Sequence, residues 1–253
     1  NTTSWFEYAL NADGESYTLT KFLRAQRGTW VNDEREMTQV LVPATYQGLP
    51  VTAVGAYAFQ ENSDVQTIVF ADGITEIENY AIYNCSSLTS VVIPNSITNI
   101  GDDAFYQDYW WSGGIYNEYD NAYYWGNSSN PYLVLMEAKS IDITACEIHP
   151  STKFIMGNAF ESCAKLESII IPNGVTSIGG YAFSGCKGLT NITIPETLMR
   201  VGMYAFNGCD NLQYTEYDNA CYLGNEGNPY HVLLKGVSND ITSCEIHPDT
   251  KVI

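Results

Sequence analysis

The chain has 253 residues, of which 45% are hydrophobic, so it is long enough to bury a substantial core. Its 29 acidic and 11 basic residues give a formal net charge of −18. Nucleic acid and anionic membrane surfaces are therefore poor partners, because both require a basic face. No apolar run approaches the roughly 20 residues of a membrane span, and we expect no such span in this segment.

The first predicted element is a β-hairpin near the start of the chain. Residues 5–22 hold two runs of β-prone residues on either side of Asp13-Gly14, a dipeptide typical of hairpin turns. Stacked repeats need a terminal unit that covers the end of their core. We therefore expect residues 1–37 to form an N-terminal β-hairpin cap, followed by a repeat domain over 38–253.

From residue 38 the chain repeats itself. The anchor of the repeat is an Ala-Phe pair that occurs five times, with Ala81-Ile82 as a variant: Ala58-Phe59, Ala104-Phe105, Ala159-Phe160, Ala182-Phe183 and Ala205-Phe206. Steps of 23 residues separate positions 58, 81 and 104, and again 159, 182 and 205. The step between 104 and 159 is 55 residues, which indicates an insertion.

Each 23-residue coil keeps one apolar skeleton, shown here by residues 88–105. Val91 and Ile93 alternate as in a short strand with one buried face, and Pro94 ends that strand because proline has no N–H to donate. We interpret the Ala-Phe segment as one helical or 3₁₀ turn. One coil cannot bury its apolar side alone, so stacked coils must share a core and a parallel sheet. The predicted fold is a β-rich leucine-rich-repeat solenoid of the α/β horseshoe class.

The coils resemble one known family. The pattern L-x-x-[IV]-x-[IV]-P-x-x-[VI]-T-x-I-G-x-x-A-F-x-x-C recurs in six copies over about residues 37–253. It is similar to the BspA-type leucine-rich repeat of bacterial surface and secreted proteins. The resemblance implies an extracellular or cell-surface location and an adhesin-like role. The spacing itself indicates only a solenoid.

Two insertions interrupt the coils, at about 106–142 and about 207–240. Residues 116–155 align without gaps with residues 214–253, at an offset of 98. Each insertion contains two β-prone runs around a polar Asn/Gly/Pro loop. We therefore predict two inserted β-hairpins, each leaving the solenoid where it begins.

The stretch that follows the first insertion is a coil in altered form. Ile143, Cys146, Ile148 and Ile155 take the skeleton positions, and His149 replaces the proline. The chain ends at Ile253, the counterpart of Ile155, and it begins without Met. We expect a processed or engineered piece of a longer array, with an open edge at 241–253.

Most of the seven cysteines follow the repeat, and we expect buried thiols rather than disulfides. Cys85, Cys163, Cys186 and Cys209 lie four residues after an anchor alanine, and Cys146 and Cys244 lie at an inward strand position. Small apolar core residues are a common role for free cysteine. Parallel side chains on neighbouring coils also suit disulfide geometry poorly. Cys221 replaces Tyr123 within an insertion, and we expect it to be exposed.

The sequence shows no pattern of a catalytic or metal-binding site. His149, His231 and His247 lack metal-ligand spacing, and no nucleophile elbow, P-loop or dinucleotide fingerprint occurs. The Glu-Tyr-Asp turns at 118–120 and 216–218 fit solvated turns best, with a conformational role or weak calcium binding as alternatives. We expect no catalytic residue, no metal and no cofactor.

Aromatic residues concentrate in the two insertions, and we predict that they bind a ligand. Tyrosine and tryptophan offer large, fairly rigid contact surfaces with a polar group, as in many binding hot spots. The predicted ligand-binding residues are Trp110, Trp111, Tyr116, Tyr124, Trp125 and Tyr222. Packing of these rings onto the solenoid is the competing interpretation.

The predicted function is a non-catalytic extracellular module that binds a protein or glycan of a host or neighbouring cell. Solenoids offer broad faces and few deep pockets, which favours binding over catalysis. An accessory segment of a carbohydrate-active enzyme and a passive surface spacer remain alternatives, because fold alone does not give function.

Overall fold

The computed structural model describes residues 5–23, 38–105 and 114–253. Those residues form twenty β-strands: β1 (Phe6–Leu10), β2 (Tyr17–Phe22), β3 (Gln39–Val42), β4 (Thr45–Tyr46), β5 (Leu49–Val54), β6 (Thr67–Phe70), β7 (Glu76–Ile77), β8 (Ser90–Val92), β9 (Asn99–Ile100), β10 (Asn117–Tyr119), β11 (Ala122–Trp125), β12 (Val134–Ala138), β13 (Phe154–Ile155), β14 (Ser168–Ile170), β15 (Ser177–Ile178), β16 (Asn191–Thr193), β17 (Arg200–Val201), β18 (Thr215–Tyr217), β19 (Ala220–Leu223) and β20 (Val232–Gly236). Within these three ranges, no helix has the length and hydrophobicity needed to cross a membrane.

The chain divides into two compact units, Asn1–Tyr116 with Trp125–Pro131, and Asn117–Tyr124 with Tyr132–Ile253. In the first unit one sheet has the order β1-β2-β5-β7-β9, with β4 beside β5, and another has the order β3-β6-β8. In the second unit the orders are β10-β11-β12-β13-β15-β17, β14-β16 and β18-β19-β20.

The regular coils place strands in two kinds of parallel sheet. In the first kind, which is β3-β6-β8 in the first unit and β14-β16 in the second, Ile68 pairs with Val91 and Ile169 with Ile192, so residues 23 apart in sequence lie side by side. The shorter strands β7, β9, β13, β15 and β17 form the second kind of sheet in the same register. The leucine-rich-repeat solenoid with parallel sheets is confirmed. The second kind of sheet was not predicted, and its strands bury an apolar residue of the coil, such as Ile77, Ile100 and Ile178.

Hydrogen bonds between coils run in two directions. On the strand side, the amide of Thr98 donates to the carbonyl of Thr75 in the preceding coil, at 2.8 Å. On the Ala-Phe side, the amide of Phe59 donates to the carbonyl of Ala81 in the following coil, also at 2.8 Å. Each inner coil is therefore bonded on one flank to its predecessor and on the other flank to its successor.

The Ala-Phe segments form tight turns whose rings stack between coils. The amides of Ala58 and Ala104 each donate to the carbonyl three residues earlier and close a tight turn. With a left-handed φ of 61° at Tyr57, the first of these is a β-turn and not the predicted helical or 3₁₀ turn. The rings of Phe160, Phe183 and Phe206 stack with centroids 5.1 and 5.4 Å apart and nearly parallel planes. These stacked rings lie in the hydrophobic core of the second unit.

The residue before the anchor alanine has a left-handed backbone in five coils. The φ angle is 61° at Tyr57, 59° at Tyr80, 62° at Asn158, 58° at Tyr181 and 56° at Tyr204. Asparagine tolerates this conformation, whereas a bulky side chain adopts it only at a cost in energy. Four of these five turns nevertheless carry tyrosine.

The cysteines are free thiols, and all but one are buried. The Sγ atoms of Cys85, Cys186 and Cys209 donate to the carbonyls of Phe59, Phe160 and Phe183 in the preceding coil, at 2.8, 3.1 and 3.1 Å. Burial raises the pKa of Cys85 to about 11. These thiols therefore serve as core residues that also bond one coil to the next.

Two cysteines differ from the expectation. Cys221 is only 5% exposed, because it lies on β19, the central strand of its three-stranded sheet. Cys244 is exposed, whereas its counterpart Cys146 lies in the core cluster together with Cys163 of the next coil. No described coil packs against Cys244 in the same way, so the inward position predicted for it is wrong.

The insertions form three strands each and rejoin the coils. In the first, β10 pairs antiparallel with β11, and β12 pairs in parallel with the coil strand β13. In the second, β18, β19 and β20 form an antiparallel sheet, and Val232 bridges to Val252. The predicted strands are therefore present, with β11 beside β12 and β19 paired antiparallel with β20, but the insertions do not project from the solenoid as predicted, since a projecting hairpin would expose Val134 and Leu135, which are buried. The limits 106–142 and 207–240 remain predictions.

At the other end of the described chain, β1 pairs antiparallel with β2, and β2 pairs in parallel with β5. Phe6 and Phe22 bury their rings against each other, with centroids 5.5 Å apart. The assignment of residues 1–37 as a cap remains a prediction.

In the altered coil, side chains of the insertion form the backbone hydrogen bonds that a neighbouring strand forms in a regular coil. Ile143, Cys146 and Ile148 are buried as expected, but residues 143–148 form no strand. Instead the Asn121 amide donates to the Ala145 carbonyl at 2.8 Å, and the Glu147 amide donates to Asp120 Oδ2 at 2.7 Å. The second copy repeats this with Asn219 and Asp218. The acidic turns thus satisfy backbone groups of the following coil.

Candidate functional site

The six aromatic residues predicted to bind a ligand lie in different environments. Trp110 and Trp111 fall outside the residues that the structure describes. Tyr124, Trp125 and Tyr222 are 0%, 1% and 0% exposed. Their side chains belong to the core, so their predicted place on a binding surface is wrong. Tyr116 alone of the six is seen to be partly exposed.

Trp125 anchors the chain where the first insertion meets the coil before it. Its Nε1 donates to the Ile115 carbonyl at 3.2 Å, and its ring meets the ring of Phe105 edge-on at 5.5 Å. The half-buried ring of Tyr116 stacks on it at 5.7 Å. Trp125 is therefore buried by the rings that flank it.

Tyr124 and Tyr222 use their hydroxyl groups inside the protein. The amide of His149 donates to Tyr124 Oη at 3.3 Å, and the amide of His247 donates to Tyr222 Oη at 3.2 Å. Burial raises the pKa of Tyr124 above the usual tyrosine value. Each buried tyrosine thereby positions a histidine at the edge of the insertion.

Around that histidine the first insertion builds a cluster of three rings. The ring of Tyr132 stacks on His149 with centroids 4.1 Å apart, and the ring of Tyr119 meets His149 edge-on at 4.8 Å. All three side chains are partly exposed. We call Tyr119, Tyr132 and His149 the first aromatic–histidine cluster.

The second insertion repeats the arrangement 98 residues later. Tyr230 stacks on His247 at 3.7 Å, and Tyr217 meets the same imidazole edge-on at 4.7 Å. These three residues, the second aromatic–histidine cluster, are again partly exposed. Since both clusters have one geometry, the duplication preserves a three-dimensional arrangement and not only a sequence.

A carboxylate borders each cluster. Tyr119 Oη donates to Glu147 Oε1 at 2.7 Å, and this hydrogen bond is the main reason that the pKa of Tyr119 is raised. In the second copy the charge of Glu245 is the main cause of the raised pKa of Tyr217. Both Glu147 and Glu245 are exposed. The clusters therefore present aromatic surface beside negative charge.

The histidine rings have a defined hydrogen-bonding role. The amide of Ser151 donates to His149 Nδ1 at 3.1 Å, and the amide of Asp249 donates to His247 Nδ1 at 3.2 Å. An Nδ1 that accepts an amide hydrogen carries no proton of its own, so both rings hold their proton on Nε2. Asp249 Oδ2 also lies 3.8 Å from His247 Nδ1, but that longer contact is an ion pair only in the protonated ring.

His231 has a separate, structural role. It is buried, and its Nε2 lies 2.8 Å from the carbonyl of Leu198, to which it donates. In the part of the chain that the structure describes, no group of three or more His, Cys, Asp or Glu side chains could hold a metal ion.

None of the six residues of the two aromatic–histidine clusters was among the predicted site residues. The signal for them was present in the duplication, because all three tyrosine and histidine positions of the first cluster are identical in the second. Aromatic content alone instead pointed to the densest runs, such as residues 123–125, where the strand buries Tyr124 and Trp125.

The regular coils match one family over residues 42–111 and 139–226, described as the BspA type leucine-rich repeat region, in six copies. The chain belongs to the BspA-type leucine-rich-repeat family. The matched regions are more than half of the chain and support a repeat module that presents binding surfaces. Residues 112–138, which contain most of the first insertion, lie outside them.

Solved leucine-rich-repeat proteins are similar to this BspA-type chain. A leucine-rich-repeat protein of T. pallidum has 22% identity and a TM-score of 0.43, over 84% of this chain and 90% of its own. A leucine-rich cell surface protein of Faecalibacterium prausnitzii has 24% identity and a TM-score of 0.45, over 86% of this chain and 56% of its own. No curated protein matches the chain.

Proposed function

We propose that this BspA-type chain is a non-catalytic binding module of the extracellular surface, adhesin-like, which recognises a protein or glycan of a host or neighbouring cell. One observation carries the proposal. The same aromatic–histidine cluster is built twice, 98 residues apart, with its rings only half-buried beside an exposed carboxylate. Packing alone does not require that rings remain partly exposed in both copies.

The chemistry of the clusters suits recognition of a surface. Tyrosine and histidine rings combine apolar faces with polar edges, and such residues dominate binding hot spots and also stack on sugars. Two equal sites on one chain also strengthen attachment to a surface that repeats its ligand, because the second contact forms at high effective concentration. Membership of the BspA-type family supports the extracellular setting.

The proposal is tested by screening the protein against a glycan array and a panel of extracellular matrix proteins. Tyr132→Leu and Tyr230→Leu each remove one stacked ring and keep apolar bulk. We expect each single variant to bind more weakly and the double variant to lose most binding. Tyr181→Leu, which alters an exposed ring outside the insertions, is the matched control and should bind normally.

A double variant that folds and binds as well as the parent would move recognition away from the insertions. No binding to any glycan or matrix protein by the parent would favour the passive spacer instead. Binding restricted to polysaccharides would favour an accessory segment of a carbohydrate-active enzyme.

A further inference from the structure

The histidine of each aromatic–histidine cluster carries a hydrogen-bond donor that the described part of the chain does not use. The Nδ1 atoms of His149 and His247 accept backbone amide hydrogens, so each ring holds its proton on Nε2. Among the described residues, the buried polar side-chain atoms without a partner are Tyr8 Oη and Thr250 Oγ1. The two Nε2 hydrogens are not in that group, and they therefore face solvent as unpaired donors.

The third histidine of the chain uses its donor inside the protein. His231 is buried, and its Nε2 donates to the carbonyl of Leu198 at 2.8 Å. A buried N–H without an acceptor costs free energy, so a fold that hides an imidazole also supplies its partner. His149 and His247 instead keep the same donor at the surface. Three histidines thus divide into one structural residue and two that present an open N–H.

The imidazole of His247 is held in one orientation before any ligand arrives. Tyr230 stacks on it at 3.7 Å, and Tyr217 meets it edge-on at 4.7 Å. The amide of Asp249 fixes Nδ1 at 3.2 Å. The side chain nevertheless remains 16% exposed. A donor that is already oriented loses little conformational freedom on binding, which favours recognition of a ligand.

Carboxylates around the second cluster limit the charge of that ligand. Glu245, Asp249 and Asp218 are all exposed. The charge of Glu245, with a smaller contribution from Asp218, raises the pKa of Tyr217. An anionic ligand is repelled by these groups and by the net charge of −18. A cation is disfavoured as well, because the Nε2 hydrogen of His247 needs an acceptor. The group that fits is uncharged.

A neutral sugar has the complementary chemistry. Each sugar hydroxyl both accepts and donates a hydrogen bond, so one sugar can accept from an imidazole N–H and donate to a carboxylate. Its C–H face is apolar and matches the partly exposed rings beside the donor. A peptide carbonyl can accept from the same N–H, but it offers no flat apolar face with hydroxyl groups at its edge.

We propose that the second aromatic–histidine cluster binds a neutral pyranose unit of a glycan, with His247 Nε2 donating to a sugar oxygen. Glu245 accepts from a neighbouring hydroxyl, and the apolar face of the sugar lies against Tyr217 and Tyr230. His149 Nε2 offers the same donor in the first cluster. This inference rests on the proposed binding function and narrows its ligand to an uncharged sugar. Two such donors suit a glycan or surface that repeats the unit.

The test is an NMR titration of the whole protein with isotope-labelled histidine and tyrosine rings. The chain has three histidines, so their signals are few, and buried His231 is an internal control. The probes are the methyl pyranosides of glucose, galactose and mannose. We expect at least one of them to shift the rings of His247 and His149 with dissociation constants on the order of millimolar. The ring of His231 should stay unshifted.

Charge is tested with the uronic acid form of the sugar that binds most tightly, in which a carboxylate replaces the C6 hydroxymethyl group. We expect this anion to bind at least about fivefold more weakly at low salt, and the difference to shrink as salt screens the carboxylates. Binding of the neutral sugar should change by less than about twofold over the same range of salt.

Two variants make the test specific to the second cluster. His247→Phe keeps a flat ring beside Tyr230 and removes the donor. We expect its dissociation constant for the neutral sugar, read from Tyr217 and Tyr230, to rise about tenfold. The His149 ring in the same protein should titrate as in the parent, which also shows that the variant is folded. Glu245→Gln keeps the size of the side chain and should reduce the discrimination against the uronic acid.

The outcomes separate this inference from the proposed function. A matrix protein that shifts the histidine rings, with no shift by any neutral sugar, would overturn the inference and leave the binding module standing. Equal or tighter binding of the uronic acid would overturn it as well. So would unchanged affinity in a folded His247→Phe protein, because Nε2 would then not be the donor. A parent protein that binds no glycan and no protein would remove the proposed function itself.

Discussion

Tyr230 stacks on His247 with ring centroids 3.7 Å apart and an interplanar angle of 14°. Protons at the edge of an imidazole held over a phenol ring are shielded by the ring current. Tyr230→Leu removes that ring, and we expect the His247 ring protons to move downfield toward the positions of an exposed histidine. The ring of His149 stacks on Tyr132, which this variant keeps, so the His149 signals serve as the internal control in the same ¹H–¹³C spectrum. Unchanged His247 signals would show that the stack does not form in solution.

Asp120 bonds the insertion to the altered coil through the Glu147 amide, at 2.7 Å. Asp120→Ala leaves that amide without its acceptor, and we expect the free energy of unfolding in urea to fall by about 1–2 kcal/mol. Asp142 forms an exposed ion pair with Lys165, so Asp142→Ala should cost less than about 0.5 kcal/mol. Equal losses in the two variants would contradict a specific role for Asp120.

The sequence predicted the coils well because their residues pack against equivalent residues 23 positions away, so the repeat itself shows which side chains are buried. Val91 and Ile93 alternate, and Val91 pairs with Ile68, its counterpart in the preceding coil. The insertions were harder to predict because contacts with residues distant in sequence determine which of their side chains are buried. Tyr124 and Trp125 have the composition of a binding surface, yet their neighbours bury them. Nor did any local signal show that Asp120 would replace a strand or that His149 would be held between two rings.

Thiol accessibility separates one cysteine from the rest. Cys244 is exposed, whereas the other six are buried, and burial raises the pKa of Cys146 to about 12 and of Cys163 to about 11. We expect one thiol of the native, reduced protein to react rapidly with a disulfide reagent and seven to react after unfolding. Cys244→Ser should abolish the rapid phase. Rapid reaction of two or more thiols in the native protein would contradict this burial.

Tyr8 has a buried hydroxyl without a hydrogen-bond partner among the described residues. A buried, unpaired hydroxyl costs free energy, so Tyr8→Phe should raise the free energy of unfolding by about 1 kcal/mol. Tyr119→Phe, which removes the bond to Glu147, should lower stability and is the matched comparison. Chemical denaturation at pH 7 measures both changes. A destabilised Tyr8→Phe protein would mean that the hydroxyl has a partner.

The same tyrosine makes stability depend on alkaline pH. Burial, with a smaller contribution from Tyr46, raises the pKa of Tyr8 from 10.0 to about 12. The folded state therefore favours the neutral phenol, and this stabilisation is complete below pH 10 and is lost as the pH rises toward 12. Tyr8→Phe should make the fall in stability over that window shallower than in the parent protein. Identical pH profiles of the two proteins would contradict the assignment.

Close contact between two coils requires glycine at position 179. A Cβ atom at Gly179 would lie 2.7 Å from the carbonyl carbon of Met156 in the preceding coil. We expect Gly179→Ala to destabilise the protein by at least about 2 kcal/mol, because backbone atoms of two coils must separate. Gly227→Ala meets only side-chain oxygens at 3.3 Å and should change stability by less than about 0.5 kcal/mol. Thermal melts of the two variants decide the comparison.

The opposed directions of the hydrogen bonds between coils give the chain an order of assembly during synthesis. A ribosome releases the N-terminal coils first, so the strand-side amide of Thr98 finds the carbonyl of Thr75 already in place. The amide of Phe59 has to wait until Ala81 of the next coil has emerged. Each newly made coil can therefore form its strand-side hydrogen bonds to the preceding coil at once. Its turn-side hydrogen bonds form only when the following coil, about 23 residues later, has been made. The nascent chain can in this way advance as a series of half-closed coils, with only the newest one exposing unpaired turn amides to chaperones and proteases.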